Sequence, residues 1–250
     1  LNLLETTKLT KYFGDTHAVD AVDFRVGEGE VLALIGSNGA GKTSLVNLIS
    51  GLFQPDSGQI RLRGADVTSL SVHERIKAGI ARSFQIVNLF DQLTMLDNVA
   101  LSIFARQDMT RYFWSLADRF DAVWQEALEI LRQFGLERTR AIVAGGISQG
   151  ERKLLDVAVA YALRPRLLFL DEPTSGVSTR DKAQIMNIVT SVVRSQGITA
   201  VIIEHDMDIV FKYSDRIVVM HDGKILADGT PEEIRRNDSV TRTLIGVADA

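Results

Sequence analysis

The sequence contains no cysteine, which excludes disulfides and thiolate-bound metals and suits a reducing compartment. Only four prolines fall in 250 residues, and no linker, low-complexity tract or internal repeat divides the chain. No apolar run approaches the roughly 18 residues of a membrane-spanning helix. The densest runs, Val31–Ile35 and Leu167–Leu170, have the length of buried strands. No signal peptide is visible at the start of the chain. An excess of basic charge is missing too. The 28 Lys and Arg against 32 Asp and Glu leave a net charge of −4, without the footprint of most nucleic-acid binders. If the protein acts at a membrane, another chain must span it.

What is present reads as a globular protein, 46% hydrophobic and 24% charged, and long enough to build a core without staples. Leu3–Thr10 and Val19–Val26 look like a β-hairpin split at Gly14-Asp15. Glu30–Ile35 is a continuous apolar run suited to a strand buried on both faces, and a helix should follow from Lys42 to about Ser50. Gln59–Arg63 reads as another strand after the Pro55–Gly58 turn. Helices are expected from the Thr94/Asp97 capping signal to about Phe104, over Ala117–Phe134, from Ser148 to Leu163, over Asp181–Ser195 and over Pro231–Leu244. Leu167–Leu170 and Thr199–Glu204 are further buried strands. Ile217–Met220 and Lys224–Ala227 flank the hairpin dipeptide Asp222-Gly223. Strands alternating with helices predict an α/β core with a mostly parallel sheet covered on both faces. The N-terminal β-hairpin and the helical middle would be additions to it.

Between the strand at Val31–Ile35 and its following helix lies Gly36-Ser37-Asn38-Gly39-Ala40-Gly41-Lys42-Thr43, a full match to G-x-x-x-x-G-K-[ST]. Glycines let such a loop curl so that backbone N–H groups face phosphate oxygens, and the next helix presents its positive end to the same anion. Lys42 adds charge against the outer phosphates, and the Thr43 hydroxyl is a hard oxygen ligand suited to Mg²⁺. Ser44 completes the predicted nucleotide-binding segment. A plain Gly-rich turn before a helix does not require the complete pattern. By itself the loop is an ATP or GTP site on a P-loop NTPase core.

Far downstream, Leu167–Leu170 runs into Asp171 and Glu172. In open α/β sheets, ligands bind outside the carboxyl ends of the strands. Asp171 can hold Mg²⁺ through water, and Glu172 can act as base toward an attacking water or orient it. Neighbouring carboxylates repel unless a cation lies between them, which suits a metal–nucleotide pair.

In this order the motifs resemble, over essentially the whole chain, the nucleotide-binding domain of ABC transporters. Ile147-Ser148-Gln149-Gly150-Glu151 stands where that family has its signature, usually Leu-Ser-Gly-Gly-Gln. Ser148 and Gly150 are kept and three positions differ. As residues alone, Ser148 and Glu151 form a capping box, and a glycine in a first turn suggests close approach of another group. The resemblance implies that this group is the γ-phosphate held by a second subunit. It also implies that Phe13 stacks on adenine, that Gln85 reaches Mg²⁺ and the attacking water, and that His205 contacts the γ-phosphate. After Pro173-Thr174 the family usually has an acidic or amide residue that crosses between subunits. Here Ser178 takes that place, an uncharged and shorter group, which leans toward pairing with a sister ATPase rather than a second copy.

The implied machine is an ATP hydrolase using ATP and Mg²⁺, in which two such subunits close over two nucleotides and pull on transmembrane permease subunits. The expected organisation is one nucleotide-binding domain, 1–250, with a helical subdomain near 86–165 and a C-terminal helical extension near 231–250. Gly79–Gln85, Asn88-Leu89-Phe90, Tyr112-Phe113-Trp114 and Asp228–Ile234 resemble the ATPases of branched-chain amino acid importers, some of which serve amides or urea. That subgroup implies a periplasmic substrate-binding protein as an indirect partner and a peripheral place on the cytoplasmic face of the inner membrane. An ATPase of lipid or lipopolysaccharide export is the alternative. A non-transport ABC protein is disfavoured by the absence of a second nucleotide domain, of a long coiled-coil insert and of a basic surface.

Overall fold

The computed structural model describes residues 1–83, 89–108 and 117–245. The chain begins in an antiparallel sheet, where β1 (Asn2–Phe13) turns at Gly14-Asp15 into β2 (Thr16–Val22), with Phe13 opposite Thr16. The expected continuous strand to Val26 is broken at Asp23-Phe24 and resumes as β3 (Arg25–Gly27). Polar side chains cause the break. Asp23 accepts the Lys8 N–H at 2.7 Å, while the Thr6 hydroxyl accepts from Phe24 N–H and donates to the Val22 carbonyl, both at 2.9 Å. Side chains thereby take over backbone groups that a continuous ladder would pair. β2 and β3 consequently pair with different stretches of β1.

β4 (Val31–Ile35) leads through the glycine-rich loop into α1 (Lys42–Ser50). β5 (Ser57–Leu62) and β6 (Ala65–Asp66) return to the N-terminal sheet. α2 (Val72–Ala78) and β7 (Ile80–Ser83), which the sequence reading did not contain, follow. The helical middle holds α3 (Met95–Arg106), α4 (Ala117–Gln133) and α5 (Gln149–Tyr161). Then come β8 (Leu167–Asp171), α6 (Thr179–Ser195), β9 (Thr199–Ile203), α7 (Met207–Tyr213), β10 (Arg216–His221) and β11 (Lys224–Gly229). The last predicted helix is two, α8 (Pro231–Arg235) and α9 (Asp238–Ile245), because the Asn237 side chain accepts the N–H groups of Ser239 and Val240 and starts a new helix.

The central sheet runs β11-β10-β4-β9-β8-β7, parallel throughout except for the β10–β11 hairpin. β4, β8 and β9 are buried along their whole length, as their unbroken apolar runs require. Alternate residues serve opposite faces. Leu167, Phe169, Val201 and Ile203 pack with α1 and the N-terminal sheet, whereas Leu168, Leu170, Ala200 and Ile202 pack with α3 to α6. Such strands cannot slip by one residue without exchanging these two sets.

α2 contributes one unforeseen anchor. Arg75 is fully buried, and its guanidinium donates to the carbonyls of Leu48, Ile49 (2.8 Å), Thr68 (2.6 Å) and Leu70 (3.1 Å). It satisfies the last carbonyls of α1, which has no basic residue of its own in its final turn. Burial lowers the Arg75 pKa, and Asp66 opposes the shift. The C-terminus of α1 is thereby tied down while its N-terminus faces the candidate site.

Candidate active site

The loop of residues 36–41 is held by its surroundings as well as by its own composition. Gly41 has φ 98°, and a Cβ there would lie 2.2 Å from the Ala18 carbonyl oxygen and 3.3 Å from Gly223 Cα. The loop is clasped between β2 and the β10–β11 turn, where the Gly223 N–H donates to the Ala40 carbonyl at 3.1 Å. Ser37, Asn38 and Gly39 are exposed, Ala40 is buried, Ser44 is half-buried and Thr43 is exposed at the helix start. Lys42 is only 6% exposed, yet its ammonium folds back to donate to the carbonyls of Gly36 (2.7 Å) and Ser37 (3.0 Å). Burial lowers the Lys42 pKa, while the charges of Glu172 and Asp171 pull it back up. The strand-end carboxylates therefore lie within electrostatic reach of the loop.

α2, α3, α5 and α8 each begin with a capping box, whereas α1 has neither a side-chain cap nor an acidic residue in its first turn. Its N–H groups and the positive end of its dipole are left for an anion. Gly41 and Lys42 keep the backbone curled toward the same point. The cradle fits a phosphate chain.

Asp171, 7% exposed, receives the Arg82 guanidinium at 2.5 Å, and the other Arg82 nitrogen donates to the Asn47 side chain. This arginine of β7 links α1 to the end of β8. Sequence reading gave it no role, because the pairing of β7 with β8 is what brings it to Asp171. Among the described residues no group of three His, Cys, Asp or Glu is placed to hold a metal. Asp171 and Thr43 suit instead a hard cation such as Mg²⁺, which takes one or two protein oxygens and completes its shell with water and phosphate.

Glu172 follows with φ 48°, a left-handed conformation rare for a non-glycine residue. Its N–H donates to the Ile203 carbonyl at 2.9 Å, and its carboxylate meets His205 Nε2 at 3.0 Å. Glu204, 4% exposed, accepts from the N–H (3.0 Å) and hydroxyl (2.6 Å) of Thr174. The ends of β8 and β9 are laced together, and the fold brings the loop, Asp171, Glu172 and His205 to one place. A 460 Å³ groove includes Gly36, Ser37, Asn38 and His205. Phe13 stands at the end of β1, 46% exposed, edge-on to Phe53 with ring centres 5.4 Å apart. Gln85 lies outside the described residues, as does Tyr112-Phe113-Trp114.

Ser148 and Gly150 are not part of this cluster. They line a separate open groove of about 370 Å³ with Gly176, Val177 and Ser178. Ser148 caps α5, accepting from Glu151 N–H at 3.3 Å while its own N–H and hydroxyl donate to the Glu151 carboxylate. The close approach expected at Gly150 is not met within the chain. A Cβ there would find only Ile185 Cδ1, at an ordinary 3.8 Å. Ser178 has a local duty: its hydroxyl accepts the Asp181 N–H and donates to the Asp181 carboxylate, capping α6. Ser178→Ala should therefore cost about 1 kcal/mol of stability, measured by urea denaturation.

A family model described as ABC transporter matches residues 19–175. The high-affinity branched-chain amino acid transport ATP-binding protein BraF of Pseudomonas aeruginosa is 35% identical over 252 residues, 98% of each chain. Among solved structures, a nucleotide-free ATP-binding cassette from an ABC transporter is similar over 100% of both chains, with TM-score 0.87 and 30% identity. A dimeric cassette in a post-hydrolysis state, bound to ADP and Pi, is similar over 91% of this chain and 98% of its own, with TM-score 0.77 and 25% identity.

Proposed function

The chain belongs to the ABC transporter family as an ATP-binding ATPase, and from that premise we propose that it powers an importer of branched-chain amino acids. The observation that carries the cargo class is the match to BraF over 98% of both chains, motif regions and helical middle included. It works peripherally at the cytoplasmic face of a membrane, against permease subunits that a substrate-binding protein loads. No described helix is long and apolar enough to cross a membrane, which agrees with a role for separate spanning partners.

The loop N–H groups and Lys42 hold the phosphates, and Phe13 offers its exposed ring to the adenine. Lys42 exchanges its two backbone carbonyl partners for phosphate oxygens. Thr43, Asp171 and Gln85 would hold Mg²⁺, and the ion would supply positive charge to neutralise the phosphates. Arg82 holds the Asp171 carboxylate in a buried ion pair at the end of β8. Glu172 directs and polarises the attacking water, and His205, in contact with it, reads the outer phosphate. Catalysis of this kind is positioning and charge neutralisation, so no side chain needs to form a covalent bond.

Ser148 and Gly150 act in the site of a second ATP-binding subunit. Support comes from their exposure in a groove apart from the chain's own loop and from the dimeric cassette with bound ADP and Pi. The test is reconstitution with the permease and binding protein from the same source. Leucine-, isoleucine- or valine-loaded binding protein should stimulate ATP hydrolysis by the complex. Copurification with lipid-handling subunits, and no response to amino acids, would overturn the importer assignment.

A further inference from the structure

Lys153 lies in the second turn of α5, outside every motif used above, and is 3% exposed. Its ammonium donates to the main-chain carbonyl of Glu172 at 3.0 Å and to the Ser175 hydroxyl at 2.8 Å. The Ser175 hydroxyl donates to the same carbonyl at 3.1 Å. With the Ser175 N–H, which donates to it at 3.1 Å, three donors surround the carbonyl of the residue that carries the proposed base.

That carbonyl belongs to a residue at φ 48°, a conformation that persists only where the surroundings over-determine it. The N–H of Glu172 is held by Ile203, so the sheet controls one of its peptide groups. The other is held by Ser175 of the following turn and, from α5, by Lys153. An ammonium donor is stronger and shorter-ranged in its demands than a neutral one, and a buried ammonium holds its acceptors closely because leaving them would strand the charge. α5 is also the helix that opens at Ser148, on the groove apart from the loop.

We propose that Lys153 is a positioning residue for ATP hydrolysis, fixing the main chain of Glu172, and through it the direction of the carboxylate, to helix α5. The inference rests on the paired arrangement proposed above. With Ser148 and Gly150 against nucleotide held by a partner subunit, any displacement of α5 by that contact passes through Lys153 to this subunit's own Glu172. The alignment of one site then depends on the state of the other.

The test uses the full chain in steady-state and single-turnover ATP hydrolysis. Lys153→Met keeps the apolar stem and removes the donors; it should lower kcat roughly tenfold to a hundredfold, the scale of a small misplacement of a reacting group, with KM for ATP changed by less than about twofold. Lys153→Arg, which keeps charge and donors, should recover most of the rate. In a Glu172→Gln background, Lys153→Met should cause no further loss, because the group it aligns is already disabled. A folded Lys153→Met chain with parental kcat, or an equal further loss in the Glu172→Gln background, overturns the proposal. If Lys153→Met does not fold, Ser175→Ala gives the same reading: kcat should fall at constant KM, and an unchanged kcat counts against the link. Failure of the underlying assignment has a different signature, namely parental turnover in Glu172→Gln alone.

Discussion

A Glu172→Gln chain is expected to bind ATP as the parent does and to hydrolyse it about 10²- to 10⁴-fold more slowly, the range that a positioned general base contributes. Glutamine has the size of glutamate and can take the same rotamer. Its amide can still meet His205, 3.0 Å away in the parent, and its main chain keeps the bonds to Ile203, Lys153 and Ser175. What it loses is the negative charge and the basicity directed at water. The unfolding midpoint should hardly move, because Glu172 is only partly buried and its main-chain bonds do not involve the carboxylate. Nucleotide binding by calorimetry and phosphate release over time measure the two quantities separately. Parental turnover would remove Glu172 from its role and leave Asp171 and His205 as the groups to examine.

Gly41→Ala should destabilise the fold by about 2–5 kcal/mol from a left-handed alanine together with overpacking. The added Cβ would lie 2.2 Å from the Ala18 carbonyl oxygen, a backbone atom with no side-chain freedom to retreat. Relief requires the loop to move away from β2, which turns its N–H groups from the phosphates, so ATP affinity should fall more than about tenfold, a loss of two ordinary hydrogen bonds or more. Gly39 supplies the control within the same loop. It also has positive φ, at 84°, but a Cβ there meets nothing within 4 Å. Gly39→Ala should cost only the conformational part, about 1–2 kcal/mol. Urea midpoints and ATP dissociation constants for the two variants decide the matter. Equal effects would mean that the clasp between β2 and the β10–β11 turn is not what fixes the loop.

Much of the fold was legible because local pattern and burial agree. β4, β8 and β9 are unbroken apolar runs, and a strand covered on both faces permits little else. The capping boxes at Thr94 and Ser148 marked the starts of α3 and α5, since each satisfies N–H groups within four residues of chain. Two departures from the expected elements come from side chains that bond to backbone. The break at Asp23-Phe24 depends on Thr6, seventeen residues or more away in the chain, and the split of the last helix depends on one asparagine. α2 and β7 are short; α2 carries a local capping box at Ser71 and Glu74, while the acceptors that anchor its Arg75 lie on α1 and in the loop before α2.

For the site, the sequence by itself determined which residues have the chemistry: a loop that can curl round phosphate, a lysine and hydroxyl at a helix start, and two carboxylates at the end of a buried strand. These are matters of covalent structure and short-range backbone geometry, and spacing along the chain suffices to state them. Only the tertiary structure decided what surrounds them. Parallel pairing of β7 with β8 delivers Arg82 to Asp171, pairing of β8 with β9 delivers His205 to Glu172, and the packing of α5 delivers Lys153 to the Glu172 carbonyl. The same packing leaves Ser148 and Gly150 in a groove away from the loop. Partners separated by 19 to 89 positions along the chain meet because hydrophobic burial fixes the order and register of the strands and helices, and no local pattern carries that information.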